Sequence, residues 1–510
     1  MELNLPGQHQ PGINKERIIL ALFCCVLASI PFLIITFPPL TDLPQHAAQI
    51  RLFGEALSQP DSPYRIQWMT PYSLVYTVLG ASGALFGAES AGRIGMLLIV
   101  LLWIAMLHLL AARLKRSALA ASLASVLFFG HILYWGFYQF AFGWPLFIGY
   151  LLLLRVNFRG LWRETLAFLG VWVVLYFTHI LWFLVAVVWL GVTHLFIRRD
   201  IKKLFLRAAG TVPLFALAAA WYPNLVAYGF KSQTIWATVP FERLLPTWLV
   251  DASFGGLRGA MEPVFFGLIV IWILLAWLPN RQELRGKVDR ELLLLAGLLF
   301  FLALILPDKH TNTIRFCQRW VPPALAFLML GLPEIKIRRR ILTAAVFGSL
   351  TIFFVLTSLN WIAFEKSELS GLRESLAALP QKPRVIGLSY LKESAIVRGR
   401  PYIQVFSYSQ VYRGGELNFS FADFGPSLVI YRQRRQLEWT PGLEWFPERA
   451  KKIDLLSFDY AIVSGDHALH AGVPQDGTLA PITTGGRWRL YKVITQAGHS
   501  DAFNSAVKIK

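Results

Sequence analysis

The chain reads as an α-helical polytopic membrane protein of about 11 transmembrane helices, followed by a small extracytoplasmic α/β domain. Three observations predict this. Hydrophobic residues make up 55% of the 510 residues and charged residues 15%, with mean hydropathy +0.51, whereas soluble domains run at roughly 45–50% and 25%. Apolar runs of membrane-spanning length recur from residue 18 to residue 363. From Glu365 onward the hydropathy falls and the composition becomes that of an ordinary soluble domain.

The polar segment 1–17 ends in Lys15-Glu16-Arg17 and leads into the first apolar run. That run is long enough to span, and no A-x-A site precedes Asp42, so it reads as an uncleaved anchor over 18–38. An outer loop, 39–90, follows. It opens with the amphipathic stretch Thr41 to Phe53, continues through the proline-rich piece 59–71, and ends in the Gly- and Ser-studded segment 72–87. If 72–87 crossed the membrane, Arg113, Lys115 and Arg116 would fall outside and every later loop would invert, so it is expected to lie along the outer interface.

Further spans are expected at 91–112, 118–135, 139–154, 164–178, 180–197, 208–226, 263–279, 291–306, 320–335 and 341–363. The apolar stretch 164–197 is read as two spans meeting at Thr178-His179, because two keep the flanking basic clusters on one side. Sorted by this topology, the Lys and Arg residues divide 21 inside to 8 outside, the outside set being Arg51, Arg65, Lys231, Arg243, Arg258, Lys309, Arg315 and Arg319. The bias orients the N-terminus to the cytoplasm and the C-terminal domain to the periplasm. It also accounts for the net charge of +19 without nucleic acid, since the basic residues gather in the inner loops.

The domain 364–510 shows strand-like runs at 384–389, 458–463 and 488–494 and helical patterns at 366–379 and 443–455. It has no phosphate loop, catalytic triad motif or metal-ligand spacing, and its expected role is to cap the membrane part. Cys24 and Cys25 lie in the first span and Cys317 in a loop, with no C-x-x-C spacing, so the cysteines carry no functional signal.

Ionisable side chains near lipid are costly, and the topology gathers a set of them at one face. Asp42 and His46 follow the first span, His131 ends the third, and Tyr138 and Gln139 stand beside it. His179 sits at the fifth-to-sixth turn, and Lys309, His310, Arg315 and Arg319 precede the tenth span. Asp42 precedes Pro44 and is placed to cap the helix that begins there, but capping alone would not call for His46 one turn on. Arg315 and Arg319 are four apart and are expected to share a helical face suited to a phosphate or pyrophosphate group. Snorkelling arginines at a helix end are the competing reading.

The order of an apolar span, an outer loop opening with Asp42, then Pro71 to Gly80, Leu85-Phe86-Gly87, Ala91-Gly92-Arg93 and Ala112-Arg113 resembles the C-superfold (GT-C) integral-membrane glycosyltransferases. Within them it is similar to the bacterial relatives of protein mannosyltransferases and lipid A aminoarabinose transferases. The resemblance implies a catalytic acid in the first outer loop, a juxtamembrane helix at 72–87, and a polyprenyl-phosphate-linked sugar donor. Asp42 and His46 are then the expected catalytic residues, and Arg315, Arg319 and Lys309 the expected donor-phosphate ligands. His131, Tyr138, Gln139, His179 and His310 are expected to line the cavity. The acceptor would be a lipid, glycan or protein of the cell envelope, at the outer face of a bacterial inner membrane. No resident cofactor is expected. Leu43 stands where the family often has a second acid, so a divalent metal beside Asp42 is left open. The alternative is a non-catalytic lipid or envelope-polymer transport or accessory protein that retains the fold. The absence of an internal repeat and the clustering of ionisable residues at one surface favour the enzyme.

Overall fold

The computed structural model describes residues 15–227, 233–278, 287–311, 313–473 and 477–494. Lys231, Arg281 and Arg285 of the basic count, residues 1–14 and position 279 of the eighth span lie outside the described residues.

The first four helices set the frame of the site. Helix α1 (Lys15–Ile34) is the anchor, α2 (Leu43–Ser58) and α3 (Val75–Phe86) lie in the outer loop, and α4 (Ala88–Arg113) is the second span. Helix α3 has 12 residues, about 18 Å of rise, and cannot cross a bilayer. Gly83 lets it pack against Ile50 and Ala91, where an added Cβ would come within 3.0 and 3.3 Å. Among the described residues, seven helices are long and apolar enough to span, namely Lys15–Ile34, Ala88–Arg113, Ala118–Trp135, Leu161–Thr178, Ile180–Ile197, Ile201–Pro223 and Arg339–Glu368. The shorter Tyr138–Leu153, Met261–Trp277 and Arg290–Ile305 fall in the other expected segments, and Val321–Gly331, with 11 residues, covers only part of the segment 320–335. The fold is therefore that of a multi-pass helical membrane protein with a mixed sheet in its C-terminal part. The stretch 164–197 divides at His179, whose extended backbone and ring, accepting from the Leu181 amide at 3.1 Å, start the second helix.

The inner basic clusters come together at the end of the bundle opposite Asp42. Arg17 donates to the Arg116 carbonyl at 2.9 Å, and Arg116 reaches the Lys287, Leu330, Gly331 and Leu332 carbonyls. Arg155 and Arg198 share Glu291, and Arg339 pairs with Glu16. These guanidinium groups cap the exposed carbonyls at helix ends, which leaves few backbone acceptors unsatisfied beside lipid.

The C-terminal part carries a five-stranded sheet in the order Glu416–Leu417, Arg384–Ser389, Tyr460–Ser464, Trp488–Val493, Leu479–Pro481. Its first three strands are parallel and its last two antiparallel to their neighbours. Two expected helices are corrected. Residues 443–455 form turns, a short 3₁₀ segment Pro447–Arg449 and the helix Lys452–Leu456, because Pro447 holds Phe446 out of the helical region. The pattern 366–379 is a π-turn that ends the last span at Glu368, followed after Gly371 by Leu372–Ala377.

This part of the chain does more than sit above the bundle. The outer-loop strand Tyr64–Ile66 pairs antiparallel with Val429–Tyr431. Two fully buried glutamines of α2 extend the junction. Gln49 donates to the Val429 carbonyl at 3.0 Å and accepts from its amide at 2.8 Å, as a neighbouring strand would. Gln45 donates to Gln404 at 2.8 Å and Ser407 at 2.7 Å and accepts from the Phe421 amide at 2.8 Å. Glu365 closes the joint from the other side by accepting the Thr36 and Phe37 amides at 3.1 and 3.2 Å.

Replacing Gln49 by Ala strands both polar groups of Val429 in a dry interior. The loss should destabilise the protein by about 2–4 kcal/mol, read by denaturant titration of the purified protein in detergent. An unchanged midpoint would remove the glutamine pairing from the forces that hold α2.

Candidate active site

Asp42 is placed by backbone, not by its carboxylate. The Thr41 amide donates to the Tyr134 carbonyl at 2.8 Å and the Asp42 amide to Trp135 at 3.1 Å. The turn that receives them ends at Gly136, φ +75°, where a Cβ would stand 3.0 Å from the Asp42 nitrogen. Only glycine meets both demands, a left-handed backbone and this close approach. Pro44 and a helical N-terminus follow, yet the Asp42 side chain makes no capping bond. The capping role open to it in sequence is therefore not the one it fills. Its carboxylate has no hydrogen bond or ion pair among the described residues. Dense protein around it pushes its pKa up to about 8, with the Arg319 charge pulling the other way.

His46 does not orient Asp42. Its Nδ1 lies 2.9 Å from the Tyr76 hydroxyl, and its ring packs against Tyr138 at 4.8 Å and Phe421 at 5.2 Å. Burial pulls its pKa down to about 3, with the Gly136 carbonyl acting oppositely, so the ring is neutral. Tyr138 donates to the Gly92 carbonyl at 3.0 Å. Gln139 is half-buried and bonds Tyr76.

Arg319 is the cation that faces Asp42. It is 5% exposed, and its guanidinium stacks 4.0 Å from the Phe137 ring centre and 5.3 Å from Phe140. Nε and Nη2 donate to the Ile314 carbonyl at 3.1 and 2.9 Å, while Nη1 has no hydrogen-bond partner among the described residues. Burial lowers its pKa to about 9, opposed by Tyr72 and Asp42, so it stays charged at neutral pH. His179 completes this wall, its ring edge-on to Tyr72 at 5.0 Å and to Phe140 at 5.3 Å. His131 is fully buried, and neither ring nitrogen has a partner among the described residues.

The expected shared face of Arg315 and Arg319 does not form. Residues 309–310 and 313–314 make a hairpin, and Arg315 leaves it at φ +49°. That left-handed backbone breaks the helical i, i+4 spacing on which a shared face depends. Arg315 instead donates to Asp251 at 3.0 Å and Gln318 at 2.7 Å, and Arg398 reaches the same Asp251 at 3.4 Å. Lys309 lies in the hairpin opposite Ile235, and His310 is exposed with Nδ1 3.0 Å from the Thr234 hydroxyl. The structure thus brings Asp42, Arg319, His131, His179, Tyr72 and Tyr138 together, with Arg315 near His131 but committed to Asp251, and leaves Lys309 and His310 in the hairpin. Tyr72, Phe137, Asp251 and Arg398 were missed from sequence, because nothing local distinguishes them from interfacial aromatics and loop charges.

The donor set beside Asp42 does not fit a divalent cation. Leu43 is buried against Gly92, the His46 ring is engaged by Tyr76, and among the described residues no three His, Cys, Asp or Glu converge. What the arrangement offers is one partly open carboxylate of raised basicity, opposite a buried guanidinium with a free N–H, inside aromatic walls.

No family model and no curated protein matches the chain. Two solved structures are similar over nearly its whole length. They are ArnT from Cupriavidus metallidurans in the apo state, with TM-score 0.54 and 14% identity over 94% of this chain and 99% of that one, and the same protein bound to undecaprenyl phosphate, with TM-score 0.54 and 13% identity over 94% and 98%. ArnT is a lipid A aminoarabinose transferase. The chain therefore has the fold of ArnT.

Proposed function

We propose that this protein is a membrane glycosyltransferase that moves a sugar from a polyprenyl-phosphate-linked donor to a cell-envelope acceptor. The reaction would take place at the outer face of the inner membrane, with the N-terminus cytoplasmic and the C-terminal domain periplasmic. The observation that carries the proposal is the Asp42 carboxylate, without a hydrogen bond or ion pair among the described residues and facing buried Arg319. The fold adds support, since ArnT has been captured with undecaprenyl phosphate bound.

In this reading the acceptor hydroxyl approaches Asp42, which takes its proton as the oxygen attacks the anomeric carbon. The bond from that carbon to the carrier phosphate breaks, and the phosphate leaves with the electron pair. Arg319 Nη1 donates to the leaving phosphate, and the charge it meets there replaces the solvation lost on burial. His179, His131 and the tyrosine hydroxyls line the path as hydrogen-bonding groups. No step needs a metal.

Asp42→Asn keeps the volume but removes the base, so transfer from purified carrier lipid should fall by at least about 100-fold with donor binding little altered. Full activity in a normally expressed variant would sink the catalytic reading and leave a transport or accessory role.

The pH dependence has a defined sign. Only the ionised carboxylate accepts a proton, so turnover of the wild type should rise as pH increases through about 8 and then level. Between its ordinary value of 3.8 and about 8, the folded protein holds a proton that the unfolded chain releases. Stability therefore declines with rising pH across that window. Asp42→Asn should flatten this decline, which denaturant titrations at about pH 6 and about pH 8 would reveal.

Arg319→Ala should weaken donor binding by about tenfold or more, with partial rescue by Lys, which lacks the planar fork. Arg315→Ala should disturb donor affinity less, because that side chain is committed to Asp251. Equal losses in the two variants would place the phosphate between them.

A further inference from the structure

A second cavity lies at the opposite end of the bundle from Asp42. Glu16 of α1 and Arg339, Arg340, Thr343, Ala344 and Phe347 of the last span line an open groove of about 670 Å³. Helix α1 has 20 residues between this groove and the outer loop, so the two sites are separated by about 30 Å. The volume falls in the range of roughly 300–1,000 Å³ typical of small-molecule sites.

Its walls differ in chemistry from rim to floor. On the rim, Arg339 forms a two-pronged pair with Glu16 at 3.1 and 2.7 Å, which neutralises both. Arg340 has no hydrogen bond or ion pair among the described residues, so the lining carries one uncompensated positive charge. On the floor, Phe347 stacks on Phe23 with ring centres 4.2 Å apart, giving a rigid apolar base. Away from the rim, α1 exposes Ile19, Leu22 and Val26 along its length. A groove with a cationic rim, an apolar floor and a hydrocarbon-facing continuation matches one kind of ligand, an anion that carries its own acyl chains.

We infer that this groove is a binding site for an anionic glycerophospholipid. Its singly charged phosphodiester would meet Arg340, and its upper acyl segment would lie over Phe347. The pairing is complementary in charge, one negative group against one free cation. Arg339 stays with Glu16 and shapes the rim. The site is independent of the proposed transfer chemistry, and occupancy would brace the packing of the first span against the last.

The test uses the full-length protein, delipidated in detergent and titrated with phosphatidylglycerol or with phosphatidylcholine of the same acyl chains. Bound lipid is counted by native mass spectrometry and melting is followed in parallel. Phosphatidylglycerol should be retained at one equivalent in preference to phosphatidylcholine, with a rise in melting temperature. Arg340→Gln should weaken that binding by about tenfold. Ala344→Trp, which fills the groove and leaves the charges, should abolish it. Inorganic phosphate at millimolar concentration should not compete. Equal retention of the two lipids, undiminished preference in Arg340→Gln, or displacement by phosphate alone would each overturn the inference.

Discussion

The carboxamides of Gln45 and Gln49 are the interaction on which the rest depends. An amphipathic helix in an outer loop has one apolar stripe, and α2 spends it on α4, through Leu43 and Ala47 against Gly92. Its other face carries glutamines, which would ordinarily be left to water. The C-terminal part supplies a rail of backbone donors and acceptors from 404 to 431 instead, and every polar atom of the two carboxamides finds a partner there or at a neighbouring side chain. Satisfied networks of this kind hold one geometry, because a shift of register would strand several buried groups at once. Asp42, at the head of α2, inherits that rigidity.

Rigidity matters because the arrangement of charges is electrostatically expensive. Asp42 and Arg319 are both removed from bulk water and are not in contact, so neither gains the compensation of a close ion pair. Each is held instead by groups that do not neutralise it, the 134–136 turn for Asp42 and the Ile314 carbonyl with two phenylalanine faces for Arg319. The protein thus keeps two opposed charges apart in a low-dielectric niche, an arrangement that costs folding energy and is common where charge must develop during a reaction. By contrast, Arg315 and Arg398 share Asp251 and form an ordinary partly exposed network.

The spans were legible in sequence because the bilayer imposes length and hydropathy on them; seven described helices are long and apolar enough to cross, and shorter helices lie in the other expected segments. The start of α2 was legible through Pro44, and the polar face through topology. Three things were not. The i, i+4 spacing of Arg315 and Arg319 suggested a common face, but a hairpin and a positive φ at Arg315 precede the helix, and spacing has meaning only inside one. His46 looked like a partner for Asp42 one turn away, yet Tyr76 on α3 is nearer its ring. Gln45 and Gln49 drew no attention, since no local signal shows that chain far downstream will cover them. In each case the deciding neighbour is distant in sequence.

That distance orders events during synthesis. Gln49 and Val429 are 380 residues apart, and at roughly 5–20 residues per second a ribosome needs on the order of 20–80 s to make the intervening chain. Throughout that interval the first spans can already be in the membrane, while α2 lacks the rail that fixes it. A nascent or prematurely terminated chain would therefore present Asp42 on an unfastened helix. The helix is fastened only once residues 404–431 have emerged, so a late segment of the polypeptide fixes the position of an early one.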